Sequence, residues 1–356
     1  MRRRSDNRKL LLPLLTLAVL LAALGLLLNH PSLAPGQGAD GVIELAGPTM
    51  GTRYRVLVPQ DAVTSRQLDD LGTLIGNRLA FLDTGLFSTY TDNSQLSGIN
   101  RLETGRSMPL ADEMVRVLAA ASRIAADSGG AFDITVKPLV DLWGFGPGFS
   151  AGEVPDSARI AAALAETGMD RFMLDVGAGS VLKLAPVTLD LSAIAKGFGV
   201  DDIAGLVRRE GITDFLVEIG GEVRFSGTRP DGNPWQLGIE VPGPGESRLF
   251  QALSVADDVP GIATSGNYRN YFDHAGVRYS HTLDPHTGWP ATHDLVSVTV
   301  IADNAMEADA WATAMAVLGT EAGMKLANEL QLAVYFIVDG ASGFSALHSI
   351  AFNRFL

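Results

Sequence analysis

The chain is expected to adopt an α+β fold. Short apolar runs bounded by turns recur at 172–176, 181–184, 215–219 and 222–225, the last two hairpin-like around Gly220-Gly221. Mixed among them are stretches with helical spacing at 63–81, 113–128, 158–167, 193–209 and 305–318. Strand pairs mixed with long helices argue against a doubly wound sheet. No repeat of fixed period is visible, so residues 42–356 are expected to form one composite domain.

The elements follow in order. Residues 1–9 carry Arg2, Arg3, Arg4, Arg8 and Lys9 against Asp6, a basic segment expected on the cytoplasmic side. Residues 10–28 are uncharged and, as a helix, span roughly 28 Å, about one hydrocarbon core. They predict a membrane anchor, with a cleaved signal helix as the rival, and the body outside the cytoplasmic membrane. Residues 29–41, rich in Pro and Gly, read as a linker. A strand is expected at 54–58, entered through Met50-Gly51-Thr52. The alanine-rich helix at 113–128 is closed by Gly129-Gly130. An apolar run at 188–191 reads as a strand running into the helix at 193–209. Further strands are expected at 235–240, 253–255, 295–301 and 332–338, and Asn304 is placed to open the helix at 305–318.

Composition narrows the function. The chain has 356 residues, 47% hydrophobic, enough for a sizeable core. It has no cysteine, which excludes disulfides, thiolate metal sites, a cysteine nucleophile and a lipidated N-terminal cysteine. The net charge is −13, and since the first nine residues contribute +4, the remainder carries −17. Extended nucleic-acid binding is not expected from such a body. An anionic ligand would need backbone amides, a few chosen cations or a divalent metal.

Several segments concentrate chemistry. Four of the six histidines (His274, His281, His286 and His293) fall within twenty residues, beside the hydroxyls of Thr264-Ser265-Gly266 and the bend Asp284-Pro285, all read as turns. His281 could accept a proton, ligate a metal or satisfy a buried carbonyl. Thr188 to Gly197 predicts a strand end and a helix start, a place where free amides favour anions. It contains Asp190 and Lys196, one of five lysines beside 22 arginines. Taken alone it reads equally as an N-cap with a solvated lysine. Asp309 and Thr313, four apart, share a helix face and suit a hard cation such as Mg2+, though a solvated polar edge gives the same pattern. Gly129 to Gly146 combines glycines with Phe132, Trp143 and Phe145, which could flank a planar ring or be core, and holds a second scarce lysine, Lys137. Ser88-Thr89-Tyr90, with Ser94, Ser97 and Asn100, could bind sugar hydroxyls or be a solvent loop.

Read together, these segments resemble the ApbE family of FAD:protein FMN transferases. The resemblance runs through Thr49-Met50-Gly51-Thr52, Ser88-Thr89-Tyr90, Gly130-Ala131-Phe132-Asp133, Trp143-Gly144-Phe145, Asp190 to Gly197, Gly220-Gly221-Glu222, Thr264-Ser265-Gly266-Asn267-Tyr268, His281 to Gly288, and Ala308-Asp309-Ala310 with Ala312-Thr313. It implies an ApbE-like, T-fold-related architecture of mixed sheets with packed helices. It also implies Mg2+-dependent cleavage of FAD, attachment of FMN to a Thr or Ser hydroxyl of a subunit of a membrane redox complex, and release of AMP. By the same resemblance Met50, Tyr90, Ala131, Phe132, Asp133, Asp190, Lys196 and Thr282 match flavin-nucleotide contacts. Ala193 through its carbonyl, Asp309 and Thr313 match the metal site, and His281 the proton acceptor. The rivals are an FAD pyrophosphatase yielding FMN and AMP, and a non-catalytic flavin carrier.

Overall fold

The computed structural model describes residues 36–37, 41–146, 153–242, 248–253, 261–266, 271–340 and 343–356. The basic segment, the apolar stretch at 10–28 and most of the linker lie outside these. Among the described residues no helix is long and apolar enough to cross a membrane.

In chain order, strands β1 (Gly36–Gln37), β2 (Val42–Thr49) and β3 (Thr52–Pro59) precede helix α1 (Ser65–Ala80). A π-helical segment, Phe81–Phe87, extends α1 and leads through α2 (Gln95–Arg101) and β4 (Ser107–Pro109) to α3 (Asp112–Asp127). Then come α4 (Lys137–Trp143), α5 (Ser157–Leu164), β5 (Phe172–Asp175), β6 (Ser180–Lys183) and α6 (Ala195–Arg209). The chain continues through β7 (Phe215–Ile219), β8 (Glu222–Ser226), β9 (Leu237–Glu240), β10 (Leu249–Leu253), β11 (Gly261–Gly266), β12 (Tyr271–His274), β13 (Val277–Ser280) and β14 (Leu295–Ala302). Last are α7 (Ala305–Glu329), β15 (Ala333–Gly340) and β16 (Gly343–His348).

Nine strands form one antiparallel sheet in the order β1-β2-β3-β7-β8-β11-β14-β15-β16. Their spatial order is their chain order, so the helices and small sheets are insertions between neighbouring strands. Alternation along β3 and β7 turns Tyr54, Val56, Val217 and Ile219 to one face, where Leu71 and Ile75 of α1 and Val200 and Ile203 of α6 cover them. Helix α7 lies across β11 and β14 beside α6. Its Trp311 joins Val298, Phe132 and the apolar stripe of α3 in one core. Phe225, Trp235, Ile262, Tyr335 and Phe352 form a separate core.

Helices expected at 63–81, 113–128, 158–167 and 193–209 are found to within a few residues, whereas α2 and α4 were not expected. Of the strand expected at 253–255 only Leu253 falls in β10, and 254–255 lie outside the described residues. Three further features differ. Residues 188–191 form no strand and join no ladder. The Asn100 side chain replaces a neighbouring strand, donating to the Leu189 carbonyl at 3.0 Å and accepting from the Leu189 amide at 2.7 Å. Thr264-Ser265-Gly266 is not a turn but the end of β11, inside the large sheet, where Thr264 Oγ1 meets Thr299 Oγ1 at 2.8 Å. Helix α7 runs eleven residues further than the pattern at 305–318, through a break at Gly319 with φ 73°. Strands β2, β12, β13 and β16 carry too many polar or glycine residues for alternation to stand out.

Candidate active site

The first turn of α6 and the second turn of α7 are held in register by a backbone contact. The Gly197 amide donates to Asp309 Oδ2 at 3.0 Å. A Cβ on Gly197 would run into the Ala305 carbonyl, so only glycine permits this approach of the two helices. The N-terminus of α6 was expected to offer free amides to an anion. Instead Asp309 takes one of them, and neither Asp190 nor Ser192 caps the helix. Asp201, one turn further along α6, accepts from the Ala305 and Met306 amides and so caps α7 together with Asn304.

Lys196 is part-buried and ion-paired rather than freely solvated. Its ammonium lies 2.9 Å from Glu222 Oε1 and 3.2 and 3.4 Å from the two Asp309 oxygens. Asp309 is 2% exposed and Glu222 3%. Burial alone would lower the lysine's pKa; the charges of Asp309 and Glu222 reverse this and hold it above the ordinary range. Burial pushes the Glu222 carboxyl up to about 8, with Lys196 opposing the rise and Asp309 adding to it. Glu222 Oε2 is buried and has no hydrogen-bond partner.

Other segments close around this triad. The Asp190 amide donates to the Ile134 carbonyl at 2.8 Å, tying the 188–197 stretch to the 129–135 stretch. His286 Nε2 lies 3.0 Å from the Gly129 carbonyl, and Trp143 Nε1 donates to the Gly288 carbonyl at 2.8 Å, docking the 281–288 bend on the 129–135 stretch and on α4. The result is a cleft of about 640 Å³. Ala131, Phe132, Asp133, Asp190, Ala193, Lys196, His281, Thr282, Asp309 and Thr313 all line it, together with Glu222. Asp133 is pushed upward by burial, against hydrogen bonds from the Thr135 amide and hydroxyl, both 2.6 Å. The Phe145 ring stands edge-on to His281 with centroids 6.3 Å apart.

Met50 and Tyr90 do not line this cleft. Met50, at φ 46°, donates its amide to Asp83 at 2.9 Å and packs behind α6 against Gly199. Tyr90 is 74% exposed. Its loop bonds to itself: Ser94 caps α2, and its hydroxyl donates to the Ser88 carbonyl. The histidine cluster dissolves as well. His274 ends a hairpin, His286 pairs with Asp284, and His293 binds the Ala316 carbonyl at 2.8 Å near the break in α7, leaving His281 as the member in the cleft. Trp143 is core, stacked on Tyr279, and Lys137 pairs with Asp141 on its own helix. Sequence reasoning passed over the depth of Glu222: it opens β8 as the expected strand at 222–225 does, but its side chain is buried at the cleft.

The donors fit a hard divalent cation. Asp309 supplies a carboxylate and Thr313 a hydroxyl one turn on, with the Ala193 backbone on the same cleft. Among the described residues no three His, Asp or Glu side chains group for a metal, so such an ion would need ligand oxygens to complete its shell. An ammonium, sparse metal donors and the Phe145 ring on one cleft are parts that a phosphorylated, partly planar ligand would use.

Comparison with known proteins agrees. The ApbE family profile matches residues 50–336. The chain is 38% identical to FAD:protein FMN transferase of Salmonella typhimurium over 345 residues, 95% of this chain and 97% of that one. It is 38% identical to the protein of the same name from Klebsiella pneumoniae over 325 residues, 90% and 91% of the two chains. It superposes on the flavin transferase ApbE of Vibrio cholerae with a TM-score of 0.80 at 38% identity, covering 88% of this chain and 99% of that one. For the apo flavinyl transferase ApbE of Pseudomonas stutzeri the TM-score is 0.78 at 37% identity, covering 90% and 98%. This chain belongs to the ApbE family.

Proposed function

We propose that this chain is an FAD:protein FMN transferase, which splits the diphosphate of FAD, passes FMN to a Thr or Ser hydroxyl of a partner polypeptide and releases AMP. The convergence of His281, Thr282, Asp190, Lys196, Asp309 and Thr313 on one cleft carries the reading, and the named relatives support it.

The chemistry follows from what each group can do. Phe145, with Val136 and Val140, offers apolar surface to a flavin ring, backed by the buried Phe132. Lys196 brings a fixed positive charge to the dianionic diphosphate inside an otherwise acidic protein. Asp309, Thr313 and the Ala193 carbonyl would hold Mg2+, which when bound neutralises phosphate oxygens and eases departure of AMP. A neutral ring nitrogen of His281 accepts the proton of the acceptor hydroxyl. That oxygen bonds to the FMN-side phosphorus, and the electron pair of the breaking P–O bond leaves with AMP. Positioning and electrostatics supply most of the acceleration.

The domain spans 42–356, and the apolar stretch at 10–28 anchors it to the cytoplasmic membrane with the cleft outside, near acceptor subunits of a membrane redox complex. Incubating the purified protein with Mg2+ and FAD, with and without an acceptor subunit, tests the assignment. AMP release that depends on acceptor supports transfer. Equal release of free FMN and AMP in both tubes makes the protein a pyrophosphatase.

A further inference from the structure

Asp309 serves two masters. Both of its oxygens face the Lys196 ammonium, and the same carboxylate is the one anionic donor of the cation site. A divalent ion arriving at Asp309 would meet a positive charge already lying 3.2 Å from Oδ1. Like charges so close repel strongly in a buried site. The ammonium has a second bracket, however. Glu222 Oε1 holds it at 2.9 Å, and the neighbouring Oε2 is buried with no partner at all. A buried polar atom left unpaired is costly, and in the ionised carboxylate Oε2 has room for one more donor. The Lys196 ammonium has three N–H bonds and is the nearest candidate.

We infer that Lys196 occupies the cation site as a built-in placeholder, and that Glu222 is the positioning residue that keeps this ammonium in the cleft when a divalent cation takes Asp309. This rests on reading Asp309 as the cation's ligand. In the exchange the Lys196–Asp309 contact breaks, the Lys196–Glu222 contact remains, and Glu222 Oε2 becomes available to the ammonium. The Oε1 contact can persist whether or not the carboxyl is ionised, since a carbonyl oxygen accepts in either state, and Oε2 accepts as well once the carboxyl is ionised. The lysine is thereby kept charged and pointed into the cleft for an anionic ligand, rather than lost to solvent.

The test is a titration of Mg2+ into the full-length protein by calorimetry, without FAD, so the readout is metal affinity and not turnover. Lys196→Met should tighten Mg2+ roughly tenfold, since nothing then competes for Asp309. Glu222→Met should weaken it by a similar factor, because the displaced ammonium has no second acceptor. Glu222→Gln, which keeps an acceptor oxygen, should lie nearer the wild type. In the double variant the effect of Glu222→Met should vanish, the coupling that a double-mutant cycle isolates. Melting curves accompany each variant, and Lys196→Gln replaces Lys196→Met in the cycle if the latter does not fold. Unchanged or weaker Mg2+ binding in the Lys196 variant overturns the placeholder. A Glu222 effect of the same size with and without Lys196 overturns the positioning role. If wild-type binding is not removed by Asp309→Ala, the assignment of Asp309 itself fails, a result separable from the other two.

Discussion

Asp309 and His281 lie on different elements and were picked from different patterns, and each yields a separate expectation. Asp309→Ala should abolish Mg2+-dependent turnover while the far-ultraviolet circular dichroism stays that of a folded protein. It also removes the acceptor of the Gly197 amide, a loss of about 1–3 kcal/mol in a thermal melt. Full activity in that variant would sink the metal assignment. His281→Ala should lower kcat far more than it weakens FAD binding, read by steady-state kinetics beside a binding titration. Weakened binding with normal kcat would make His281 a ligand contact. Single residues were legible in the sequence where a spacing rule applied: Asp309 and Thr313 share a face because helices repeat every 3.6 residues. Glu222 was not, since nothing in Gly-Gly-Glu tells whether the acid turns to solvent or inward. The histidines misled for the complementary reason: nearness in sequence says little once β12, β13 and a bend separate their side chains.

The decisive element-level contact is the crossing of α6 and α7 at Gly197. Gly197→Ala should force the helices apart, costing about 1–3 kcal/mol or more of stability and disturbing Mg2+ binding with it, as seen by melting temperature and calorimetry together. A neutral effect on both would show that the crossing is looser than the contacts imply. The α+β class and most helices could be read from periodicity, because apolar stripes on α1, α3 and α6 are continuous. The extent of α7 could not, since Gly319 and the small residues around it mask the second part of the helix. Strand β11 was hidden by its own composition: Thr264-Ser265-Gly266 looks like a loop, yet pairing with β14 and the Thr264–Thr299 hydroxyl contact place it inside the sheet. Asn100 imitates a strand edge through its side chain, which no periodicity reports.

At the scale of the whole molecule, Arg78 on α1 clamps Glu113 of α3 at 2.6 Å and Asp202 of α6 at 2.7 Å, joining three helices. Burial works against the ionised Glu113, yet the hydrogen bond from Arg78 prevails and holds its pKa below the ordinary value. The stability this lends is present above the unfolded-state pKa of about 4.5 and is lost as the pH falls through the lower folded value. Glu113→Gln should therefore melt lower than the wild type at neutral pH, with the gap narrowing in acid. A gap that widens in acid would contradict the sign. The acidic body and the ammonium in the cleft belong together: with a net charge of −13, an anionic nucleotide entering this cleft is met by Lys196 and by any cation that Asp309 holds. Intact-mass spectrometry of an acceptor subunit co-expressed with this chain asks the central question directly. The account predicts an acceptor heavier by one FMN on a Thr or Ser, and an unmodified acceptor when Asp309→Ala replaces the wild type. An acceptor of unchanged mass beside the wild-type enzyme, with free FMN accumulating, would contradict it.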